Sequence, residues 1–479
     1  MDVHVTLRGS EELSAQIYRQ LRAAILSGRL SPGAPLPPTR ELARSLQVAR
    51  NTVAVAYDRL AGEGFVAGRV GAGTFVSATL SSTRAGDVAD AAPAGQLHPR
   101  PVWDALPPPR HLAAADPEFD LRTGMPDARL FPHDSWRRLV ARESRGPAVR
   151  SGAYDHPAGH TGLRAAIARH VATTRAVRVD AEDVVVTNGM QQAMDLIARV
   201  LVEPGDCAAV EDPGYPPPRL LLESLGARVV PVPVDGEGLV VDALPDDARL
   251  VYVTPSHQYP LGMPMSLPRR RALLAWAARR DAAIVEDDYD SEFRFTGAPL
   301  EPLQALDTDG RVIYVGSFSK SMLPTLRLGF LVTPASLRPA LHTAKFLTDW
   351  HTALPAQAAL ARFVEEGLLA RHLRRMRAEY RARHEQVTRL LTGDLAAWLT
   401  PVPSRAGLHL SALLHDEVDV PDVAVTRRAR SAGVHVDPLS RFCAGPARHG
   451  IVLGYGALPP DRIGPAFARL REAFQASSP

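Results

Sequence analysis

Cysteine is nearly absent from this chain of 479 residues, which contains only Cys207 and Cys443. These two residues lie far apart and outside any Cys-x-x-Cys spacing, so the sequence predicts neither a disulfide framework nor a zinc site. We therefore expect no bound metal. Free thiols are typical of a reducing compartment, and the expected location is the cytoplasm.

Long hydrophobic runs are absent as well. Hydrophobic residues make up 46% of the chain, yet no apolar run reaches the roughly eighteen residues of a membrane span, so no membrane association is expected. The segment from Met1 to Glu12 is polar and lacks the apolar centre of a secretory signal. Length and composition predict a globular protein with two or three domains.

Lysine is almost missing. Of 55 basic residues only Lys320 and Lys345 are lysine, and the other 53 are arginine. The guanidinium group of arginine stays protonated and does not form a Schiff base. If the protein holds an aldehyde cofactor through an imine, only these two side chains can supply the nitrogen.

The net charge is small, at +3, and residues 1–76 alone carry that excess, with nine arginines and six acidic residues. An excess of this size does not by itself establish nucleic-acid binding. The sequence divides into a small helical domain at residues 10–77, a flexible linker rich in alanine and proline at 78–118, and a large domain at 119–479.

The small domain has the pattern of a winged helix. Apolar residues at helical spacing predict a first helix that ends at Gly28. Thr39 is the predicted N-cap of a second helix, Arg40 to Leu46, and a third helix is predicted from Arg50 to Gly62. A glycine-rich hairpin, or wing, follows. A helical hairpin that only packs is the alternative, and the wing favours DNA binding.

In a winged helix the third helix enters the major groove with its N-terminal residues on the base edges. Arg50, Asn51 and Thr52 occupy those positions. Thr39 and Arg40, at the start of the preceding helix, are placed to contact phosphates. Double-stranded DNA is therefore the predicted partner.

The large domain alternates strands with helices, which predicts an α/β fold with a mostly parallel sheet and helices on both faces. In such sheets ligands bind at the carboxyl ends of strands. One long helix is predicted over residues 355–383. The predicted strands cover residues 184–187, 208–211, 250–254, 283–287, 312–316 and 328–332.

Residues with suitable chemistry follow several of these strands. Asp287 could hold a pyridine nitrogen protonated, although a helix cap or a surface charge has the same pattern, and Tyr289 could donate to a phenolate oxygen. Lys320 lies beside two hydroxyl groups and seven residues before Arg327. An amine, hydroxyl groups and a guanidinium together suit a phosphorylated aldehyde. Lys345 has no such neighbours and is expected to be solvated.

Gly189 joins a predicted strand to a predicted helix, whose N-terminus would favour a phosphate group. Taken alone this turn is a weak indication, because an ordinary strand–helix connection has the same pattern.

The small domain resembles the GntR winged-helix family. The resemblance covers nearly all of residues 12–76 and is carried above all by Leu36–Ala43 and Val48–Val53. Pro38 and Ala49 stand where the family usually has serine, so two hydroxyl contacts with phosphate are expected to be missing.

The large domain resembles the fold-type I aminotransferases. Its sequence motifs are similar to those of the MocR/GabR-type regulators, which join such a domain to a GntR winged helix. The matching segments are Glu211–Tyr215, Thr254–Pro260, Glu286–Arg294 and Gly316–Gly329. The resemblance implies the PLP-dependent transferase fold, with pyridoxal 5′-phosphate (PLP) as the cofactor.

The resemblance also implies roles for single residues. Lys320 would form the internal aldimine, Asp287 would pair with the pyridine nitrogen, and Tyr289 with the O3′ oxygen. Tyr215 would stack on the ring. Tyr154 would reach the phosphate of the neighbouring subunit in a homodimer, with each winged helix crossing to its partner's large domain. The implied phosphate cradle consists of Gly189, Met190, Gln191, Ser317, Ser319 and Arg327.

Two departures from the aminotransferase pattern are visible. Tyr259–Gly262 replaces the usual Asn-Pro-Thr-Gly, so the asparagine that supports O3′ is absent, and His257 or Gln258 is expected to substitute. Val452–Tyr455 occupies the place of the arginine that binds the substrate carboxylate. This loss lowers the expectation of amino-acid turnover.

Three functions stay open at this point, and the winged helix and the missing carboxylate arginine favour a regulator, with the aminotransferase-like domain used for sensing, over an enzyme. The chain is a transcription regulator that senses an amine through PLP, a regulator for which PLP itself is the signal and which controls PLP synthesis, or an aminotransferase with an accessory winged helix.

Overall fold

The computed structural model describes residues 5–7, 9, 12–69, 72–77, 98–108, 117–297, 301–418 and 420–475. The chain divides into two compact units, Met1–His98 and Pro99–Pro479. Most of the predicted linker, residues 78–97 and 109–116, lies outside the described residues, as do Ser10 and Glu11 at the predicted domain start. Among the helices described, none has the length and apolar character needed to span a bilayer.

The small unit is a winged helix, as predicted. Its helices are α1 (Leu13–Leu26), α2 (Thr39–Ser45) and α3 (Arg50–Gly62), and its antiparallel wing strands are β1 (Val66–Arg69) and β2 (Gly73–Val76).

Side chains at helical spacing on α1 and α3 bury one shared apolar core. Ile17, Leu21, Val53 and Leu60 are all fully buried between the two helices. The Tyr57 hydroxyl donates to the Pro37 carbonyl oxygen at 2.8 Å, which ties α3 to the loop before α2.

The predicted N-cap at Thr39 is wrong by one residue. Helix α2 begins at Thr39 itself, and Pro38 occupies the N-cap position without a capping side chain. The fixed φ of proline suits the residue that leads into a helix. The Thr39 hydroxyl instead accepts a hydrogen bond from Arg50 Nε at 3.4 Å.

The large unit contains thirteen α-helices among its described residues: α4 (Val102–Ala105), α5 (His133–Glu143), α6 (Pro147–Arg150), α7 (Thr161–Arg175), α8 (Met190–Leu201), α9 (Pro216–Ser224), α10 (Leu267–Arg280), α11 (Leu303–Leu306), α12 (Arg338–Asp349), α13 (Leu354–Glu365), α14 (Leu368–Thr392), α15 (Asp422–Ser431) and α16 (Pro460–Gln475). Its described strands are β3 (Phe119–Asp120), β4 (Val184–Thr187), β5 (Cys207–Asp212), β6 (Arg228–Asp235), β7 (Gly238–Leu239), β8 (Ala248–Val253), β9 (Ala283–Asp288), β10 (Val312–Ser317), β11 (Gly329–Val332), β12 (Leu399–Pro401), β13 (His409–Leu414), β14 (Val434–His435), β15 (Asp437–Pro438) and β16 (Gly450–Gly454).

The main sheet has eight strands in the order β4-β11-β10-β9-β8-β5-β6-β7. Strands β10, β9, β8, β5 and β6 pair in parallel, whereas β11 and β7 run antiparallel to their neighbours. Apolar clusters cover both faces of the sheet. The predicted α/β fold with a mostly parallel sheet is confirmed, and all six predicted strands are present within two residues at each end.

Three features of the large unit were not predicted. Strands β6 and β7 extend the main sheet, and a separate antiparallel sheet has the order β12-β13-β16-β15. The helix predicted over residues 355–383 is wrong as one element. Gly367, with φ of 70°, ends α13 and starts α14, because that left-handed backbone strongly favours glycine.

Part of the predicted linker, from Pro99 onwards, belongs to the large unit. Residues 98–108 contain the short helix α4, which packs near α9. Arg100 Nη2 donates to the Ser224 carbonyl oxygen at 3.2 Å.

A buried arginine on α14 connects distant parts of the large unit. Arg383 donates to Asp127 Oδ2 at 2.7 Å, to Glu379 Oε1 at 2.8 Å and to the Gly456 carbonyl oxygen at 2.6 Å. Arg383 and Asp127 are almost fully buried. Asp127 also accepts from Arg129 Nε and Nη2 at 2.8 and 2.7 Å, so the main loss on removing Arg383 is that of its buried hydrogen bonds and its packing volume.

We expect Arg383→Ala to lower the free energy of unfolding by about 2–5 kcal/mol, because it removes buried hydrogen bonds to Asp127 and to the Gly456 carbonyl oxygen and leaves a cavity. Urea unfolding followed by circular dichroism measures this loss. Arg374→Ala, at an exposed position of the same helix, is the control and should change stability by less than about 0.5 kcal/mol. Equal stabilities of the two variants would contradict the assigned role.

Candidate functional site

Lys320 lies just after β10, at the carboxyl end of the parallel strands. Its Nζ donates to the Gly124 carbonyl oxygen at 2.9 Å. Burial lowers the pKa of Lys320, while the Asp290 and Asp287 carboxylates act in the opposite direction. A lowered pKa increases the fraction of neutral amine, which is the form that attacks an aldehyde.

Asp287, near the end of the neighbouring strand β9, has one carboxylate oxygen in use and one free. Oδ2 accepts a hydrogen bond from the Tyr252 hydroxyl at 2.6 Å. Oδ1 is buried and has no hydrogen-bond partner among the described residues. Burial raises the pKa of Asp287 to about 7. Buried polar atoms rarely stay unpaired, so this oxygen is suited to a donor from a bound molecule.

Tyr289 and His257 lie in contact beside this carboxylate. The Tyr289 hydroxyl donates to the His257 carbonyl oxygen at 2.9 Å and lies 3.0 Å from His257 Nδ1. Gln258, the other residue expected to replace the missing asparagine, donates instead to the carbonyl oxygens of Pro213 and Tyr259 at 2.8 Å each. Of the two candidates, the structure places only His257 against Tyr289.

Asp290 fixes the orientation of the His257 ring. The His257 Nδ1–H donates to Asp290 Oδ2 at 2.9 Å, and Nε2 lies 3.1 Å from the Ser404 hydroxyl. His257, Asp290 and His409 are close enough to share a metal ion. However, protein groups already occupy both nitrogens of His257, and His409 Nε2 lies 3.0 Å from the Pro260 carbonyl oxygen. The contacts of this cluster are therefore those of a hydrogen-bond network.

A phosphate-sized anion would find several donors where β4 meets α8. Gly189 precedes α8 with φ of 79°. Arg327, also in the left-handed region with φ of 52°, donates from Nη2 to the Asn188 carbonyl oxygen at 2.7 Å. A Cβ on Gly189 would lie 2.8 Å from Arg327 Nη2, and one on Gly329 would lie 2.8 Å from Gly189 Cα. The backbone therefore needs glycine at both positions.

The remaining residues of the predicted cradle occupy the same edge of the sheet. Ser317 and Ser319 share a hydrogen bond of 2.9 Å between their hydroxyl oxygens. Met190 and Gln191 form the first turn of α8, where backbone N–H groups have no partner within the helix. The side chain of Gln191 is exposed.

Tyr215 is the N-cap residue of α9 and contacts Tyr259 edge to face, with ring centroids 5.3 Å apart. Burial raises the pKa of Tyr215 to about 12, with a further contribution from Asp287. The structure thus brings Tyr215 near the Asp287 carboxylate.

Tyr154 does not join this cluster within its own chain. Its side chain is 72% exposed and stacks on Trp350 with ring centroids 4.2 Å apart. An aromatic side chain this exposed is available to a second molecule.

The prediction that Lys345 is solvated is wrong. Lys345 is fully buried, and its Nζ donates to both oxygens of Asp349 at 2.5 and 2.8 Å and to Gln192 Oε1 at 3.0 Å. Burial occurs because α12 packs against α8. Asp349, four residues after Lys345, was the sequence signal for this ion pair.

Two contacts of the site were missed by sequence reasoning. Gly124 receives the Lys320 amine, and Tyr252 holds Asp287. Tyr252 was detectable as a hydroxyl group within an otherwise apolar strand, whereas nothing near Gly124 in the sequence indicates a contact with residue 320.

Val452–Tyr455, where aminotransferases usually have the arginine that binds the substrate carboxylate, has apolar surroundings. Val452 is buried in an apolar cluster with Leu261 and Phe442. The nearby Arg441 donates to Asp437 Oδ1 at 2.6 Å and is thus already paired.

The candidate DNA-binding residues lie together on the small unit. Arg40, Arg50 and Asn51 are exposed, and Thr39 and Thr52 are half-buried at the first turns of α2 and α3. The hydrogen bond between Arg50 and Thr39 connects the two helix starts. These residues form a contiguous polar face.

Comparison with known proteins assigns both units. Residues 13–76 match the family of bacterial regulatory proteins, gntR family, and residues 126–450 match aminotransferase class I and II. The probable rhizopine catabolism regulatory protein MocR of Rhizobium meliloti is 41% identical over 96% of this chain and 93% of its own length. The chain belongs to the MocR-type regulators of the gntR family.

A second relative is the pyridoxine biosynthesis transcriptional regulator PdxR of Corynebacterium glutamicum, which is 35% identical over 98% of each chain. The large domain of this MocR-type chain is also similar to solved aminotransferases. Kynurenine aminotransferase of Pyrococcus horikoshii, solved with PMP, has a TM-score of 0.70 and 28% identity over 75% of this chain and 91% of its own. The aminotransferase LysN of Thermus thermophilus, complexed with a phosphopyridoxyl-leucine, has a TM-score of 0.69 and 29% identity over 75% and 92%.

PLP dependence is a property of this family, and the residues of this chain fit the cofactor. The unpaired Asp287 oxygen suits a protonated pyridine nitrogen. The buried Lys320 amine suits the aldehyde, and the donors around Gly189 suit the phosphate.

We expect Asp287→Asn to weaken PLP binding by about 1.5–3 kcal/mol, because a charged hydrogen bond to the pyridine nitrogen is lost. Titration of the PLP-free protein, followed by absorbance, measures the dissociation constant. Tyr252→Phe keeps the carboxylate and removes only the supporting hydroxyl, so its effect should be smaller, about 0.5–1.5 kcal/mol. Unchanged affinity in Asp287→Asn would exclude that pairing.

Proposed function

We propose that this chain is a transcription regulator that carries PLP on Lys320 and changes its binding to DNA in response to PLP or to an amine. The observation that supports this most strongly is the half-buried Lys320 side chain, which interacts electrostatically with Asp287, in a chain that also has a winged helix. PLP supplies an aldehyde for amines and a ring that withdraws electrons.

Within this proposal the protein residues bind and orient the cofactor. Lys320 would supply the amine that holds the aldehyde of the cofactor. Asp287 pairs with the pyridine nitrogen, Tyr289 with O3′, and His257 positions Tyr289. Tyr215 covers the ring. The phosphate would be held by the donors of Gly189, Met190, Gln191, Ser317, Ser319 and Arg327.

The effector has two candidates. An amine would exchange with Lys320, whereas PLP itself would act by occupancy and would connect the chain with PLP synthesis. The name of the relative MocR refers to rhizopine catabolism, which would correspond to an amine effector. The name of the relative PdxR refers to pyridoxine biosynthesis, which would correspond to PLP as the effector. Titration of DNA binding with PLP alone separates them, because a PLP sensor responds without an added amine.

We further propose a cytoplasmic homodimer in which each winged helix crosses to the large domain of its partner. Tyr154 supports a shared site, because most of its side chain is exposed and a second subunit could contact it. A dimer would also place two recognition helices on two DNA half-sites.

Aminotransferase activity is the second candidate, because Lys320 and Asp287 are both present. The apolar surroundings of Val452 count against it, since an α-carboxylate finds no arginine there. Steady-state assays with an amino donor and a keto acid test this directly. Sustained turnover near the enzyme median of roughly 10 per second would favour the enzyme over the sensor.

We expect Lys320→Ala to lose the imine absorbance band of the PLP-bound protein, because the only well-placed amine is removed. Borohydride reduction followed by peptide mass spectrometry locates the pyridoxyl group. Lys345→Met, at saturating PLP, is the matched control and should retain the label on Lys320. A label on Lys345 in the Lys320→Ala protein would refute the assignment.

We expect Arg50→Ala to weaken binding to the cognate operator by ~1–3 kcal/mol if Arg50 reads a base edge. The operator is first obtained by selecting genomic fragments on the purified protein, and affinity is then measured at fixed salt. Arg19→Ala, on the exposed side of α1, serves as the control. An equal loss on unrelated DNA would assign Arg50 to phosphate contact instead.

A further inference from the structure

The second lysine of the chain lies behind the candidate phosphate cradle. Lys345 lies on α12, and its Nζ donates to Asp349 and Gln192. It also donates to the Thr352 hydroxyl at 3.2 Å. None of these contacts reaches Lys320 or Asp287, so the proposed function does not use Lys345.

The partners of Lys345 hold Asn188, the residue directly before Gly189. Gln192 Oε1 accepts from the Asn188 backbone N–H at 2.8 Å, and Asp349 Oδ2 accepts from Asn188 Nδ2 at 2.9 Å. Gln192 Nε2 also donates to Asp349 Oδ2 at 2.7 Å. On the other side, the Asn188 carbonyl oxygen accepts from Arg327. Asn188 is therefore held through its N–H, its side chain and its carbonyl group.

The charge balance of this cluster depends on Lys345. Asp349 is an anion next to a turn that would bind a second anion, the phosphate. Lys345 is its ion-pair partner, with Nζ between the two carboxylate oxygens. Without this cation, Asp349 would repel the phosphate and Gln192 would lose a donor at Oε1.

The backbone beyond Asp349 is held in an unfavourable conformation. Trp350 has φ of 63° and ψ of −71°, a combination that is rare for a residue with a side chain. Such strain persists where the surrounding structure fixes the segment, and it is common near ligand sites. The stacked ring of Tyr154 contacts Trp350 at this point.

From these contacts we infer that Lys345 is a positioning residue for the cofactor phosphate. It neutralises Asp349 and thereby holds Asn188, Gly189 and the start of α8 in the geometry that binds the anion. The inference rests on the proposed function, because it requires PLP in this site.

The test compares PLP with pyridoxal, which has the same aldehyde and ring but no phosphate. Full-length PLP-free protein is titrated with each compound, and the ratio of the two dissociation constants reports the contribution of the phosphate. Lys345→Met should reduce the preference for PLP by roughly tenfold or more, because a charged contact behind the cradle is lost. Pyridoxal binding should change far less.

Neutralising the partner provides the rescue. The double variant Lys345→Met with Asp349→Asn removes both charges and should recover most of the preference for PLP. If the single variant does not fold, the double variant can be measured in its place, because it buries no unpaired charge. Arg338→Met, which removes a cation from the other end of α12, paired with Glu182 and Asp183, is the matched control and should leave the ratio unchanged.

The outcomes separate this inference from the proposed function. Failure of the wild-type protein to bind PLP rejects the proposed function. PLP binding by the wild type, with the same ratio in Lys345→Met, overturns the positioning role alone. Equal weakening of PLP and pyridoxal also overturns it, because a general packing defect has that result, and so does a double variant that shows no recovery.

Discussion

Burial of a single amine is the constraint on which the candidate site depends. Lys320 must lose enough solvent to become a nucleophile, yet an isolated buried cation would be costly. The structure meets both conditions by supplying a carbonyl acceptor at Gly124 and two carboxylates at Asp287 and Asp290. Parallel strands bring Lys320 and the two aspartates together, because the carboxyl ends of β9 and β10 meet along one edge of the sheet.

The same constraint explains why so many polar groups behind the site are paired. Asp287 is held by Tyr252, Asp290 by His257, and Asp349 by Lys345. Each pair fixes the position of a carboxylate, and in Asp287 the second oxygen is left without a partner among the described residues. Supporting contacts of this kind set the precision of a binding site. A side chain without them would lose conformational entropy when the ligand binds, and that loss would weaken the affinity.

Sequence patterns predicted the winged helix, the parallel strands and the residues at their ends, because these follow from local periodicity and from motifs. They did not predict the antiparallel sheet around β13 and β16, whose strands are joined by long connections. They were wrong about Lys345, because its burial depends on the packing of α12 on α8. Gly124 was missed for a similar reason: its contact with Lys320 spans 196 residues and leaves no local pattern.

The back-to-back arrangement of Gly189 and Gly329 has an evolutionary consequence. A Cβ on Gly329 would overlap the backbone of Gly189, which has no side chain to give up. A Cβ on Gly189 would lie 2.8 Å from the Arg327 guanidinium and would sit on a backbone with φ of 79°, which strongly favours glycine. When two larger core residues are in contact, a substitution that enlarges one can be compensated by a substitution that shrinks the other. Two glycines cannot compensate in this way, because neither has a side chain to shrink. We therefore expect both positions to be invariant among chains that keep this cradle, and expect chains that lose one glycine to have abandoned phosphate binding here.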